Sequence, residues 1–194
     1  EYGSPESLEI TSLIFLLMNY YTLKASNRIA RERNTAFADF EYSKYADGTY
    51  FEKYLTRDYL HPSLGNKELF KNIAIPTQDD WKQLKEDIQR YGLYSKYRMA
   101  VAPTGSISYV NGVSASIHPI INRIEERQEK KIGKIYYPAY GLSTNTIPYY
   151  TSAYDMDMRK VINVYAAATE HVDQGLSLTL FVRSDIPEGM YEWK

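Results

Sequence analysis

The longest uninterrupted helical pattern opens the chain. Ser4 stands at an N-cap position, Pro5 at the first helical position and Glu6 in the first turn, and no breaker follows until about Arg33. From Leu13 to Met18 the pattern is apolar on every side of a helix, which predicts burial all round. That run is far shorter than the roughly 18 to 20 apolar residues of a membrane span, and Asn19 and Lys24 follow it. A core helix is expected, with a polar second half that reaches solvent or another chain.

Between Phe37 and Pro76 the pattern is broken by Asp47-Gly48, His61-Pro62 and Leu64-Gly65, leaving irregular tyrosine-rich packing and one short helix over residues 67–73. Thr77 with Asp80 three residues on then predicts a capped helix start. Trp81, Leu84, Ile88 and Tyr91 follow at spacings of three and four, and Gly92 closes the helix. Met99, Ala100, Val101 and Ala102 form an apolar run without alternation, which predicts a strand buried on both faces and ended by Pro103. Asn111-Gly112 is a turn, and residues 123–134 mix both charge signs densely. Met158, Val161, Ile162, Tyr165, Ala168 and Val172 repeat like the inner stripe of a helix, and Leu176, Leu178, Leu180 and Val182 alternate as a strand with one apolar face. The fold class expected is α/β.

Composition narrows the function. With 194 residues, 44% of them hydrophobic, the chain is long enough for one globular domain and too apolar for a disordered one. The absence of cysteine excludes disulfides, thiolate zinc sites and cysteine catalysis within it. A net charge of -1 argues against duplex DNA as the main partner. Twenty tyrosines against six phenylalanines imply many half-buried surfaces where a ring packs and its hydroxyl meets a polar partner. Because the chain begins at Glu1 and carries no secretory signal pattern, we expect a soluble piece of a longer cytoplasmic protein.

Candidate chemistry centres on Pro103-Thr104-Gly105-Ser106-Ile107-Ser108, placed after the predicted strand. A glycine allows close backbone approach, the hydroxyls add donors, and a helical turn starting there would turn free N–H groups toward a phosphate. No P-loop lysine accompanies it, so a plain turn stays open beside the phosphate reading. If the segment is a phosphate site, the N–H groups of Gly105, Ser106 and Ile107 are expected to converge on one point in a cleft, and their consumption by internal hydrogen bonds would refute it. His61, His118 and His171 lack ligand spacing, so no metal site is expected and they read as satisfied or surface histidines. Asp79/Asp80 and Glu125/Glu126, as sequence neighbours on a helix, point about 100° apart and read as a solvated helix start and a solvated charge run. Lys130, Lys131 and Lys134 interleaved with Tyr136, Tyr137 and Tyr140 admit a single-strand nucleic acid reading that the overall charge disfavours.

Four blocks in order carry a resemblance: residues 102–109 (Ala-Pro-Thr-Gly-Ser-Ile-Ser-Tyr), 116–119 (Ser-Ile-His-Pro), 131–138 (Lys-Ile-Gly-Lys-Ile-Tyr-Tyr-Pro) and 171–181 (His-Val-Asp-Gln-Gly-Leu-Ser-Leu-Thr-Leu-Phe). With Gly3-Ser4-Pro5-Glu6 and Ala30-Arg31-Glu32-Arg33 they resemble the large catalytic subunit of class Ib ribonucleotide reductases over nearly the whole chain. The resemblance implies a single fragment, 1–194, from the C-terminal part of a ten-stranded α/β barrel, contributing several helices and at least two strands, at residues 99–102 and 176–182. It implies that Pro103, Thr104, Gly105, Ser106 and Ile107 receive the phosphates of a ribonucleoside diphosphate, in an enzyme that makes deoxyribonucleotides for DNA replication by radical 2′-deoxygenation. Asp173-Gln174 belongs to the pattern with no more than a structural or cleft-lining role.

The departures matter equally. The family reaction needs a thiyl radical and two reducing thiols, and this chain has none, so no catalytic residue lies in it and the segment alone is expected to be inactive. The parent enzyme is expected to use a dimetal-tyrosyl radical in a separate small subunit, nucleoside triphosphate effectors, a large-subunit homodimer and a glutaredoxin-like reductant, with no nucleic acid or membrane partner. The alternatives are an adenosylcobalamin-dependent reductase of the same superfamily, favoured less by the blocks at 131–138 and 171–181, and a non-catalytic nucleotide-binding module from a split gene.

Overall fold

A computed structural model describes residues 1–130 and 133–183, except for the side chains of Leu64 and Glu129. Six helices and a hairpin follow in order: α1 (Pro5–Arg33), α2 (Glu52–Thr56), α3 (Leu64–Phe70), α4 (Gln78–Tyr91), α5 (Gly105–Val110), β1 (Ile124–Glu129), β2 (Gly133–Pro138) and α6 (Met158–Thr169). Contacts divide the chain into two compact units. A helical unit comprises Leu8–Ala100 and Ala167–Gly175; a loop-rich unit comprises, among the described residues, Glu1–Ser7, Val101–Ala166 and residues 176–183.

In the helical unit, α1 presents Leu13, Leu16, Tyr20, Leu23 and Ala30 as a buried stripe. The expected burial all round does not occur: Ile14 is 45% exposed and Met18 50%. These two and the exposed Tyr21 lie on the opposite side at i, i+4 and i+7, and a helix packed along one face leaves that side uncovered. The buried stripe joins Phe51 and Tyr54 with Trp81, Leu84 and Ile88 of α4, the face that the amphipathic spacing predicts. Thr77 Oγ1 accepts the Asp80 N–H at 3.0 Å, and the Asp80 carboxylate accepts the Thr77 N–H at 2.9 Å, so the expected capping box forms. At the other end Gly92 adopts φ 77°, and a Cβ there would lie 2.5 Å from that of Ala36. The buried Asn27 reaches from α1 to the carbonyls of Asp87 and Gly92. The short helix α3 begins three residues earlier than the pattern placed it, after Ser63.

A chain of polar side chains also crosses this core. Arg98 and Asp173 form an ion pair at 3.2 Å with side chains only 3% and 7% exposed. The two oxygens of Asp173 also accept the N–H groups of Arg98 and Met99, at 2.8 and 3.0 Å. Arg98 donates to Asn19 Oδ1 at 2.9 Å, which fixes the Asn19 amide so that Nδ2 donates to the Tyr54 hydroxyl at 2.8 Å. The Tyr54 proton is then left for Nδ1 of His171, 3.0 Å away. This makes His171 the neutral Nε2–H tautomer, which donates to Ser12 Oγ at 3.0 Å. His171 is therefore the satisfied buried histidine expected from its spacing.

The loop-rich unit has a smaller core of Met156, Met158, Val161 and Tyr165, with Tyr2, Ile117, Leu180 and Phe181 packed on it. Helix α6 follows the predicted stripe with one exchange: Val164 is buried, whereas Ile162 is 37% exposed and Val172 lies beyond the helix. Two expected strands do not form. Residues 99–102 and 176–182 carry no regular structure, and of the first run only Met99 is buried. A strand exists through its ladder, and among the described residues no neighbouring strand offers one to either segment. The only sheet among the described residues is the antiparallel pair β1–β2, with Glu125 opposite Tyr137 and Glu126 opposite Tyr136. The first part of the charge run, to which no element was assigned, is thus strand β1, and Glu125 and Glu126 point to opposite faces of it rather than about 100° apart as on a helix.

Candidate functional site

The Pro103–Ile107 segment is built by one unusual residue. Thr104 adopts the left-handed conformation (φ 47°, ψ 33°), which for a non-glycine residue stores strain and here reverses the chain into α5. Its hydroxyl accepts the Ser116 N–H at 2.8 Å and its carbonyl accepts the Ser108 N–H at 3.0 Å. The Ser108 hydroxyl donates back to the Gly105 carbonyl at 2.7 Å. These bonds secure the start of the helix while sparing its leading donors. Among the described residues none accepts from the N–H groups of Gly105, Ser106 or Ile107. An added Cβ at Gly105 would meet nothing within 4 Å.

The loop differs from expectation in its surroundings. All five residues from Pro103 to Ile107 are exposed, Ile107 by 52%, so the donors face open space rather than a cleft. The concave surface begins one step further on, at Ser108 and Tyr109 of α5. A cavity of about 300 Å³ opens there, walled by Tyr109, Tyr137, Tyr140 and Tyr150, with Glu125 and Asn122 at its polar edge. Tyr109 and Tyr137 are in ring contact at 4.7 Å, and the Tyr109 hydroxyl donates to Glu125 Oε2 at 2.9 Å. The sequence reading missed this cavity. The alternation of Ile135 and Tyr137 after Gly133 is the signal that a hairpin carries one of its walls.

Among the described residues no group of three or more His, Asp or Glu side chains is placed to hold an ion. His61 is exposed and 3.6 Å from Asp58, while His118 is half-buried against Tyr165 and Phe181, and its burial lowers its pKa. Among the described residues no helix is long and apolar enough to cross a membrane.

Comparison with known proteins decides the family. The profile described as "Ribonucleotide reductase, barrel domain" matches residues 1–190. The chain belongs to this family. The helices and hairpin of this ribonucleotide reductase segment are accordingly a fragment of an α/β barrel. It is 47% identical over 182 residues to the ribonucleoside-diphosphate reductase NrdEB subunit alpha of Bacillus subtilis, a match covering 94% of this chain and 17% of that protein. A second Bacillus subtilis protein, ribonucleoside-diphosphate reductase subunit alpha, is 43% identical, covering 94% and 26%. The subunit alpha of Helicobacter pylori is 31% identical over 188 residues, covering 97% and 23%. The chain thus spans about a quarter or less of the length of these relatives.

Proposed function

We propose that this chain is the C-terminal part of the catalytic barrel domain of a class Ib ribonucleoside-diphosphate reductase large subunit, and that Pro103, Thr104, Gly105, Ser106 and Ile107 hold the diphosphate of its substrate. The observation that carries the reading is the set of three unshared N–H donors at the start of α5, in a chain that belongs to the reductase barrel family. Consecutive N–H groups in a first helical turn point the same way, and a phosphate accepts from them with no cation present. The Ser106 hydroxyl adds a further donor to the same surface.

In this reading the segment binds and orients. The radical step and the two reducing thiols come from polypeptide other than this chain, which contains no cysteine. The complete enzyme works in the cytoplasm, supplying deoxyribonucleotides for DNA replication. It does so as a large-subunit homodimer with a small subunit carrying a dimetal-tyrosyl radical, under nucleoside triphosphate effectors and with a glutaredoxin-like reductant.

Gly105→Asp tests the site. The open space around Gly105 and its negative φ admit the side chain without strain, and the carboxylate then lies where the phosphate would sit. Like charges about 4 Å apart repel by roughly 1 kcal/mol in water and about 4 kcal/mol near a protein surface. Pyrophosphate or ADP binding, followed by phosphorus NMR, is therefore expected to weaken at least about fivefold with unchanged thermal stability. Equal affinity in the variant overturns the assignment.

A further inference from the structure

We propose that the tyrosine-walled cavity between α5 and the β1–β2 hairpin is a binding site for an organic cation, an alkylammonium head group. Its composition sets the sign of the ligand. Four tyrosines and one carboxylate surround it, and no lysine, arginine or histidine is among its lining residues. The faces of tyrosine rings carry negative potential, and an ammonium within about 6 Å of a ring centre is attracted to it. An anion would meet the same faces and the Glu125 carboxylate unfavourably.

One further observation supports a cation. Glu125 Oε2 is taken by the Tyr109 hydroxyl, while Oε1 receives no hydrogen bond among the described residues and remains open to a ligand charge. The Arg127 guanidinium already covers one face of the Tyr109 ring, 3.8 Å from its centre, so the ring contribution to a ligand rests mainly on Tyr137, Tyr140 and Tyr150. The walls are also held in place. Tyr109 is fixed through its hydroxyl and its contact with Tyr137, and Tyr150 donates its hydroxyl to the Tyr140 carbonyl while its own carbonyl accepts from Arg123 at 2.9 Å. A volume of about 300 Å³ lies at the lower end of ligand cavities and suits a head group rather than a large molecule. The inference is independent of the diphosphate reading, since the cavity walls contain none of residues 103–107.

The test uses choline and its neutral isostere 3,3-dimethylbutan-1-ol, which share shape and differ in charge. Saturation-transfer NMR on the full chain is expected to show choline binding tighter by about 2- to 30-fold, with the preference reduced by salt. Tyr137→Leu, which keeps apolar volume and removes a ring face, should weaken choline by about the same factor. Glu125→Gln should weaken it about fivefold or more. Tyr109→Phe, which keeps the ring and frees Glu125, should retain binding and guards against misreading a folding defect. N-acetyl-lysine methylamide in parallel separates a partner's lysine side chain from a free amine, the tighter probe naming the source. Equal affinity for choline and its isostere, or a Tyr137→Leu chain with normal circular dichroism and unchanged choline affinity, overturns the proposal. Loss of pyrophosphate binding in Gly105→Asp with choline binding intact would leave the two sites distinct.

Discussion

Protonating His171 should destabilise the helical unit, and the polar chain behind it gives the size of the effect. The imidazole is 1% exposed, and burial pushes its pKa from 6.5 down to about 4. The bond pattern opposes the charge as well. Nδ1 accepts the Tyr54 proton, and Tyr54 cannot withdraw it without losing its arrangement with Asn19, which Arg98 fixes. Between pH 6.5 and 4 the unfolded chain holds a proton that the folded chain refuses, so stability falls as pH falls. The gap corresponds to about 3 kcal/mol when fully expressed, of which about 2 kcal/mol is lost between pH 7 and pH 5. Trp81 is the natural reporter, because its ring stacks on that of Tyr54 at 3.8 Å. With Trp193, outside the described residues, replaced by Phe, urea unfolding followed by fluorescence at pH 7, 6 and 5 reads the helical unit alone. His118 titrates in the same direction in both chains, so the comparison must be with His171→Gln, which should be less stable at pH 7 but lose clearly less stability from 7 to 5. Hydrogen-bonded carboxylates such as Asp80 have lowered pKa values and lose their contribution only at lower pH. Parallel pH profiles for the two chains would refute the reasoning.

Three further perturbations probe the same unit. Asp173→Ala strands the buried Arg98 charge and two backbone N–H groups, and should cost about 3 to 5 kcal/mol in urea unfolding; a cost under about 1 kcal/mol would mean that Arg98 finds another partner. Gly92→Ala forces a Cβ against Ala36 at φ 77° and should cost about 1 to 3 kcal/mol, seen as a lowered thermal midpoint. Thr77→Ala removes one half of the capping box and should cost about 0.5 to 2 kcal/mol, whereas Thr77→Ser should restore most of it.

What could be read from the sequence divides by range. Helices α1 and α4 were legible because their caps and stripes are local: Ser4 accepts the Ser7 N–H at 3.3 Å, and Thr77 and Asp80 bond reciprocally. A helical turn starting near Gly105 was only one of two readings the segment left open, and the structure forms it. Apolar runs carried less information than they promised. Residues 99–102 have the composition of a doubly buried strand, but pairing is a property of two segments and a single run cannot specify its neighbour. The hairpin was missed for the converse reason: four of the six residues of β1 are charged, and only the alternation after Gly133 betrays it.

The same division separates the two proposed sites. Donors at a helix start belong to the backbone, so a five-residue motif suffices to place them, and the resemblance is what proposes a phosphate for them. The cavity needs Tyr109 from a helix, Glu125 and Tyr137 from facing strands and Tyr150 from a distant turn, and no window of the sequence contains that constellation. Asp173 is an intermediate case. Its motif was read with no more than a structural or cleft-lining role, and the structure makes that role specific: a single carboxylate neutralises Arg98 and accepts from two consecutive N–H groups, so an apolar residue of similar size there is expected to leave the buried charge and both donors without a partner.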